Sequence, residues 1–146
     1  MTVPFRANRS MPACSVIPVL AYPDVREAVR WLCTAFGFRE RLRIGEHRSQ
    51  LVFGDGAVVV TQSSDASPAS VMVRVEDVEH HRERAVNAGA RVVNEPAAFP
   101  YGEKQYTVQD IGGHVWTFSE TVEDVAPEDW GGATDVPNDT DVRRVQ

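Results

Sequence analysis

Two stretches of the chain carry apolar residues at helical spacing, and each is followed by shorter runs in which apolar and polar residues alternate. From Asp24, the segment DVREAVRWLCTAFG places Val25, Ala28, Val29, Leu32 and Phe36 on one face, with Asp24 as N-cap and Gly37 as the stop. From Asp77, DVEHHRERAVNAGA follows the same plan, with Val78, Ala85 and Ala88 facing inward and Gly89 ending the helix. A strand is predicted over SVIPVLAY (15–22), where Pro18 marks a sheet edge or a strand start. Three more follow the first helix, FRERLRI, SQLVFGDG and AVVVTQ, joined by turns at Gly45–His47 and at Gly54-Asp55-Gly56. The second set is SVMVRVED (70–77), RVVNEP, and the two halves of YGEKQYTVQDIGGHVWTFSE (101–120). In that last stretch Tyr106 and Val108 alternate with Gln105, Thr107 and Gln109 before the DIGGH turn. After it, Val115, Thr117 and Ser119 alternate with Trp116 and Phe118, the pattern of a hairpin with one buried aromatic face.

The order strand–helix–strand–strand–strand therefore occurs twice. Asp24-Val25 and Asp77-Val78 lie 53 residues apart, and Gly37 and Gly89 lie 52 apart, which marks an internal repeat. The expected class is α+β, with each copy setting one amphipathic helix on one face of a small sheet and leaving the other face to be covered or used. The divisions that follow are an N-terminal arm at 1–14, a first βαβββ module at 15–62, a Ser/Pro linker at 63–69, a second module at 70–120 and a tail at 121–146. The arm has no periodicity and reads as loose. Within the tail, Val125 and Trp130 are candidate anchors, whereas the part beyond Gly131-Gly132 has too little apolar surface to fold alone.

Composition adds mainly exclusions. With 42% hydrophobic and 25% charged residues, the chain reads as an ordinary soluble domain. No run approaches the roughly 18 apolar residues of a membrane span, and MTVPFRANRS has no apolar signal core, so a cytoplasmic location is expected. The net charge of −6 sits in the tail: residues 120–146 hold eight acids against Arg143 and Arg144. The neutral body offers no basic face for phosphates, which argues against nucleic acid as a partner. Cys14 and Cys33 fit no CxxC motif and read as free thiols. His47 belongs to a turn, and His80 and His81 point about 100° apart on a helix and do not act jointly on one metal. His81 lies near the apolar stripe as a structural histidine, and His114 is expected to bond locally in its turn.

The repeated order, the segment YPDVREAVRWLCTAFGF after the first strand and the closing YGEKQYTVQDIGGHVWTFSE resemble the vicinal oxygen chelate superfamily, which includes glyoxalase I, the bleomycin resistance proteins and extradiol dioxygenases. The likeness covers about residues 15–120, and the D-x-x-G-H-x-W-T-F segment is similar to the glyoxalase and bleomycin-resistance branch. It implies two βαβββ modules forming a U-shaped, half-open sheet around a pocket, in a homodimer that takes a small-molecule ligand.

Metal-dependent members carry a His or Gln on the first strand of each module and a Glu on the last. The matching positions here are Ile17, Val59, Ser70 and Thr117, and their neighbours Val16, Pro18, Val58, Val60, Ala69, Val71, Trp116 and Phe118 are no better as ligands. A divalent cation wants hard nitrogen and oxygen donors, so the expectation is no metal and no cofactor. If Ile17 and Ser70 face the pocket, alternation turns Val19, Ala21, Met72 and Arg74 inward, with Ala57, Thr61, Val115 and Ser119 beside Val59 and Thr117. That lining is mostly small and apolar with one cation. Arg74 either holds an anionic group of a ligand or pairs with Glu76, Glu103 or another acid. Tyr101 and Tyr106 either stack on a flat ligand or pack in a core or dimer contact. The expected ligand-binding set is thus Arg74, Tyr106, Met72, Val19, Thr61 and Thr117. Three functions fit: metal-independent binding or sequestration of an apolar or aromatic metabolite or drug, a lyase or isomerase with an atypical site, and a regulatory module with a vestigial pocket.

Overall fold

A computed structural model describes residues 6–65 and 67–134, and both copies of the repeat fold there. In the first, strand β1 (Val19–Tyr22) leads to helix α1 (Val25–Phe36) and strands β2 (Arg39–Ile44), β3 (Arg48–Phe53) and β4 (Gly56–Gln62). In the second, β5 (Ser70–Arg74) leads to α2 (Val78–Asn87), β6 (Arg91–Ala98), β7 (Glu103–Gln109) and β8 (Val115–Thr121). The starts and stops have local causes. Asp24 and Asp77 accept hydrogen bonds from the backbone N–H groups of Glu27 and His80, and Gly37 ends α1 at φ 81°. β1 is shorter than the sequence suggests because Pro18 has no N–H for a ladder. Its carbonyl still accepts from Val59 N–H at 2.9 Å.

The strand orders are β1-β4-β3-β2 and β5-β8-β7-β6, each with one parallel pair at the β1–β4 or β5–β8 edge and antiparallel pairs elsewhere. This is the α+β fold of two βαβββ modules. Both helices lie on the same side and touch each other, so the two modules share one core. Leu32, Phe36, Leu51 and Val60 of the first meet Tyr106, Val108, Trp116 and Phe118 of the second. The Phe36 ring sits 5.2 Å from Trp116 and 4.9 Å from Phe118. Across the helix seam, Trp31 Nε1 donates to Ala88 O at 2.7 Å, and Arg84 donates to the orphan carbonyls of Thr34 and Cys33 at the end of α1. No described helix is long and apolar enough to cross a membrane.

The β7–β8 turn ties the modules together. Buried Asp110 accepts from Tyr22 OH at 2.6 Å, Trp116 Nε1 at 2.9 Å, and the N–H groups of Gly112 and His114 at 2.9 Å each. A Cβ on Gly112 would stand 2.5 Å from the Tyr22 ring, so the turn comes this close only because that residue is glycine. His114 makes the expected local bond through its backbone, and its side chain reaches further. Its Nδ1 accepts from Ala69 N–H at 2.8 Å and its Nε2 donates to Ala21 O at 2.7 Å, which bridges β1 to the segment entering β5.

Tyr106, expected among the ligand residues, lies on the helix side of its sheet and is fully buried. Register explains the correction: Tyr106 pairs with Phe118, and both point into the core. Its hydroxyl bonds His81 Nδ1, while His81 Nε2 has no hydrogen-bond partner among the described residues. Burial drives His81 down to about 4 from its ordinary value near 6.5.

Trp116→Ala should cost about 3–5 kcal/mol in a urea melt, whereas Ser70→Ala and Thr117→Ala, on the opposite face, should each cost less than about 1 kcal/mol. His81 stays neutral in the folded chain down to about pH 4, while the unfolded chain takes up that proton near pH 6.5. Stability therefore falls as pH drops from about 6.5 to 4, by on the order of 3 kcal/mol from this group. Urea melts between those limits should show His81→Gln with a shallower pH dependence than the wild type.

Candidate functional site

The sheet faces turned away from the helices carry most of the expected ligand residues, and the two modules treat them differently. On the second sheet, three rows run across the strands: Ser70–Val115–Gln109, Met72–Thr117–Thr107 and Arg74–Ser119–Gln105. This face is open, with Met72 62% exposed. It is more polar than the apolar lining expected from sequence. Thr107 and Thr117 share a hydrogen bond of 3.2 Å between their hydroxyls, Gln105 donates to Ser119 at 3.0 Å, and Ser119 donates to Glu103 at 2.6 Å. The hydroxyls of Ser119 and Thr121, with the positive charge of Arg74 behind them, hold the Glu103 carboxyl below its ordinary range. Arg74 donates to Thr121 Oγ1 at 3.0 Å and, among the described residues, has no carboxylate within ion-pair distance. Its row continues to Ala97 on β6, so from Arg74 to the far edge is three interstrand spacings, roughly 14 Å.

That far edge has an aromatic wall. A groove of about 430 Å³ is lined by Asn94, Glu95, Ala97, Phe99, Gln105 and Thr107. The Phe99 ring stacks on Tyr101 at 5.5 Å with planes 7° apart, and Tyr101 meets Trp130 edge-on at 5.4 Å. Trp130 is held there because the start of the tail is strapped to the β6–β7 turn: the N–H groups of Val122 and Glu123 both donate to Gly102 O. A Cβ on Gly102 would stand 2.2 Å from Glu123 O, and its φ of 84° also favours glycine. The first part of the tail, Val122 to Trp130, thus packs against Tyr101, behind the Phe99 ring that lines the groove. The expectation about the stretch beyond Gly132 falls largely on residues 135–146, outside the described residues.

The first sheet presents Val19, Ala21, Ala57, Val59 and Thr61 on the same side, with Val19 registered on Val59 and Ala21 on Thr61. Ile17 precedes β1 and lies outside its ladder. Thr61 Oγ1 accepts from Arg48. The middle of this face is covered, with Val59 6% exposed and Gln50, its neighbour on β3, 5% exposed, whereas Val19 at the β1 edge stays exposed. The cover is the N-terminal arm, which the sequence suggested was loose. Gln50 Nε2 donates to Ser10 O at 2.9 Å, Arg41 donates to Arg9 O at 3.0 Å, and Pro12 is buried.

Ile17, Val59, Ser70 and Thr117 supply two aliphatic groups and two neutral hydroxyls, which do not make a cation cage. Among the described residues no group of three or more His, Cys, Asp or Glu side chains is placed to hold a metal ion. Cys14 and Cys33 are free thiols. Burial, and then the nearby Glu40 charge, push the Cys33 thiol up and away from the nucleophilic thiolate. Thr117, Met72 and Arg74 come together on one face, Val19 and Thr61 belong to the other sheet, and Tyr106 belongs to neither face. Gln105 and Thr107, missing from the expected set, were reachable from sequence because the alternation that aims Thr117 outward aims them outward too. Phe99 sits in an aperiodic AAFP stretch with no such signal.

Two βαβββ modules, each with its helix on one face of a four-stranded mixed sheet, define the architecture. The model of the Glyoxalase/Bleomycin resistance protein/Dioxygenase superfamily matches residues 16–118, and the chain belongs to that superfamily. It is similar to TioX from Micromonospora sp. ML1, at 35% identity over 74% of this chain and 98% of that one, with a TM-score of 0.68. Two further crystal structures share the fold. One is the bleomycin-binding protein from bleomycin-producing Streptomyces verticillus complexed with copper(II)-bleomycin, at 19% identity over 73% of this chain and 95% of that one (TM-score 0.60). The other is lactoylglutathione lyase from Agrobacterium tumefaciens, at 13% identity over 75% and 94% (TM-score 0.62). No curated protein matches the chain in sequence.

Protein purified without a metal-binding tag should carry less than about 0.1 divalent ion per chain, and excess EDTA should leave Tm unchanged within about 1 °C. A tightly held ion at one per chain in elemental analysis would contradict this description of the four positions.

Proposed function

We propose that the protein binds and sequesters an elongated small molecule, a metabolite or drug, on the open face of the second sheet without the help of a metal. The observation that carries this reading is the pairing of a cation with no ion-pair partner among the described residues at one edge, Arg74, with an aromatic wall at the other, Phe99 and Tyr101. The hydroxyls and amides between them suit a ligand with hydrogen-bonding groups along its length. The matching ligand has a flat ring for Phe99 and an anionic group for Arg74, separated by up to about 14 Å. Sequestration needs shape, stacking and charge complementarity but no reacting group, and the fold is shared with a protein solved with copper(II)-bleomycin bound. The working unit we infer is a homodimer in the cytoplasm. Val16, Val19 and Met72 leave an exposed apolar strip beside the β1 and β5 edges, which supports burial against a second copy.

The test is fluorescence titration with 6-(2-naphthoylamino)hexanoate and its uncharged primary amide. The acid should quench tryptophan emission and bind about tenfold more tightly than the amide, and Arg74→Ala should remove that difference. Phe99→Ala should weaken both probes. Equal affinity for acid and amide in the wild type, or chemical turnover of either probe, would overturn the reading. Sedimentation should give about twice the 16.2 kDa chain mass.

A further inference from the structure

We propose that the face of the first sheet turned away from the helices is a binding site for a peptide turn, and that the chain's own N-terminal arm is its resident occupant. Arg41 and Gln50 grip consecutive carbonyls of the arm, those of Arg9 and Ser10. They also hold each other, because Arg41 donates to Gln50 Oε1. That bond fixes the Gln50 amide so that its N–H donor faces the arm. What they recognise is main-chain oxygen presented by a turn, in which Met11 N–H donates to Asn8 O and Ser10 N–H to Asn8 Oδ1, so the ligand class is a peptide turn, with the buried Pro12 beside it. The second module serves as an internal control. Thr107 and Thr117 form the β7–β8 pair that corresponds to Gln50 and Val59 on β3–β4. The threonines are half-exposed while Gln50 and Val59 are buried, although both pairs point away from the helices. The arm accounts for that difference, and it leaves each chain one free ligand face instead of two. This site stands independently of what the second sheet binds.

Full-length Pro12→Asp should release the arm while leaving the Arg41–Gln50 clamp in place. A fluorescein-labelled peptide of residues 6–13 should then bind this variant at least about tenfold more tightly than the wild type, whose site is filled, as read by anisotropy. Adding Arg41→Ala and Gln50→Ala to the same chain should abolish the gain. Equal peptide affinity in all three proteins would overturn the proposal. Hydrogen exchange gives a second readout that does not depend on Pro12→Asp. In Arg41→Ala/Gln50→Ala, backbone amides of residues 8–13 should exchange at least about tenfold faster than in the wild type, with α1 protection unchanged. Unchanged arm exchange would also overturn it.

Discussion

The carboxylate of Asp110 is the contact on which the two halves depend. A buried carboxylate costs several kcal/mol to desolvate unless its lone pairs are filled. Here they accept four donors, two from the turn backbone and two from side chains. One of those side chains, Tyr22, belongs to the first module, and the other, Trp116, is the largest side chain of the second module's core. Burial and the Asp110 charge together push the Tyr22 hydroxyl well up, so it remains a donor. His114 from the same turn reaches both β1 and the entry to β5. A single five-residue turn therefore fixes how the modules meet.

Joining the modules this way commits the large aromatic residues to one interior. Phe36, Trp116, Phe118 and Tyr106 are consumed by packing under the helices, away from the sheet faces on the other side. There the repeat has diverged. The first face is largely aliphatic, and its middle is covered where Arg41 and Gln50 side chains donate to the Arg9 and Ser10 carbonyls of the arm. The second keeps a ladder of hydroxyls and amides between a guanidinium and an aromatic wall. Among the described residues, neither face brings together three or more His, Cys, Asp or Glu side chains that could hold a metal ion.

Much of the fold was readable from the chain because its signals are local and repeated. The two Asp caps, the glycine stops and the 53-residue repeat place the elements correctly, and the alternation around DIGGH assigns Trp116 and Thr117 to opposite faces. What escaped was long-range. Period-2 alternation puts Tyr106 on the same face as Val108, in register with Phe118, yet a tyrosine near a family pocket reads equally as a stacking group until the partner strand is seen. The arm looked loose because its anchors are two carbonyls, which have no sequence signature. Phe99 and Trp130 form a wall only because the tail doubles back over Gly102, a close approach that shows up in backbone contacts alone.

The most direct test of metal-free binding on the second sheet is an amide chemical-shift map of the full chain titrated with 6-(2-naphthoylamino)hexanoate in the presence of EDTA. The account predicts saturable shifts at Arg74, Gln105, Thr107, Thr117 and the residues around Phe99, with the first sheet and the Asp110 turn largely still. Shifts that appear only after a divalent metal is added, or that cluster at the helix seam around His81 and Arg84, would contradict it.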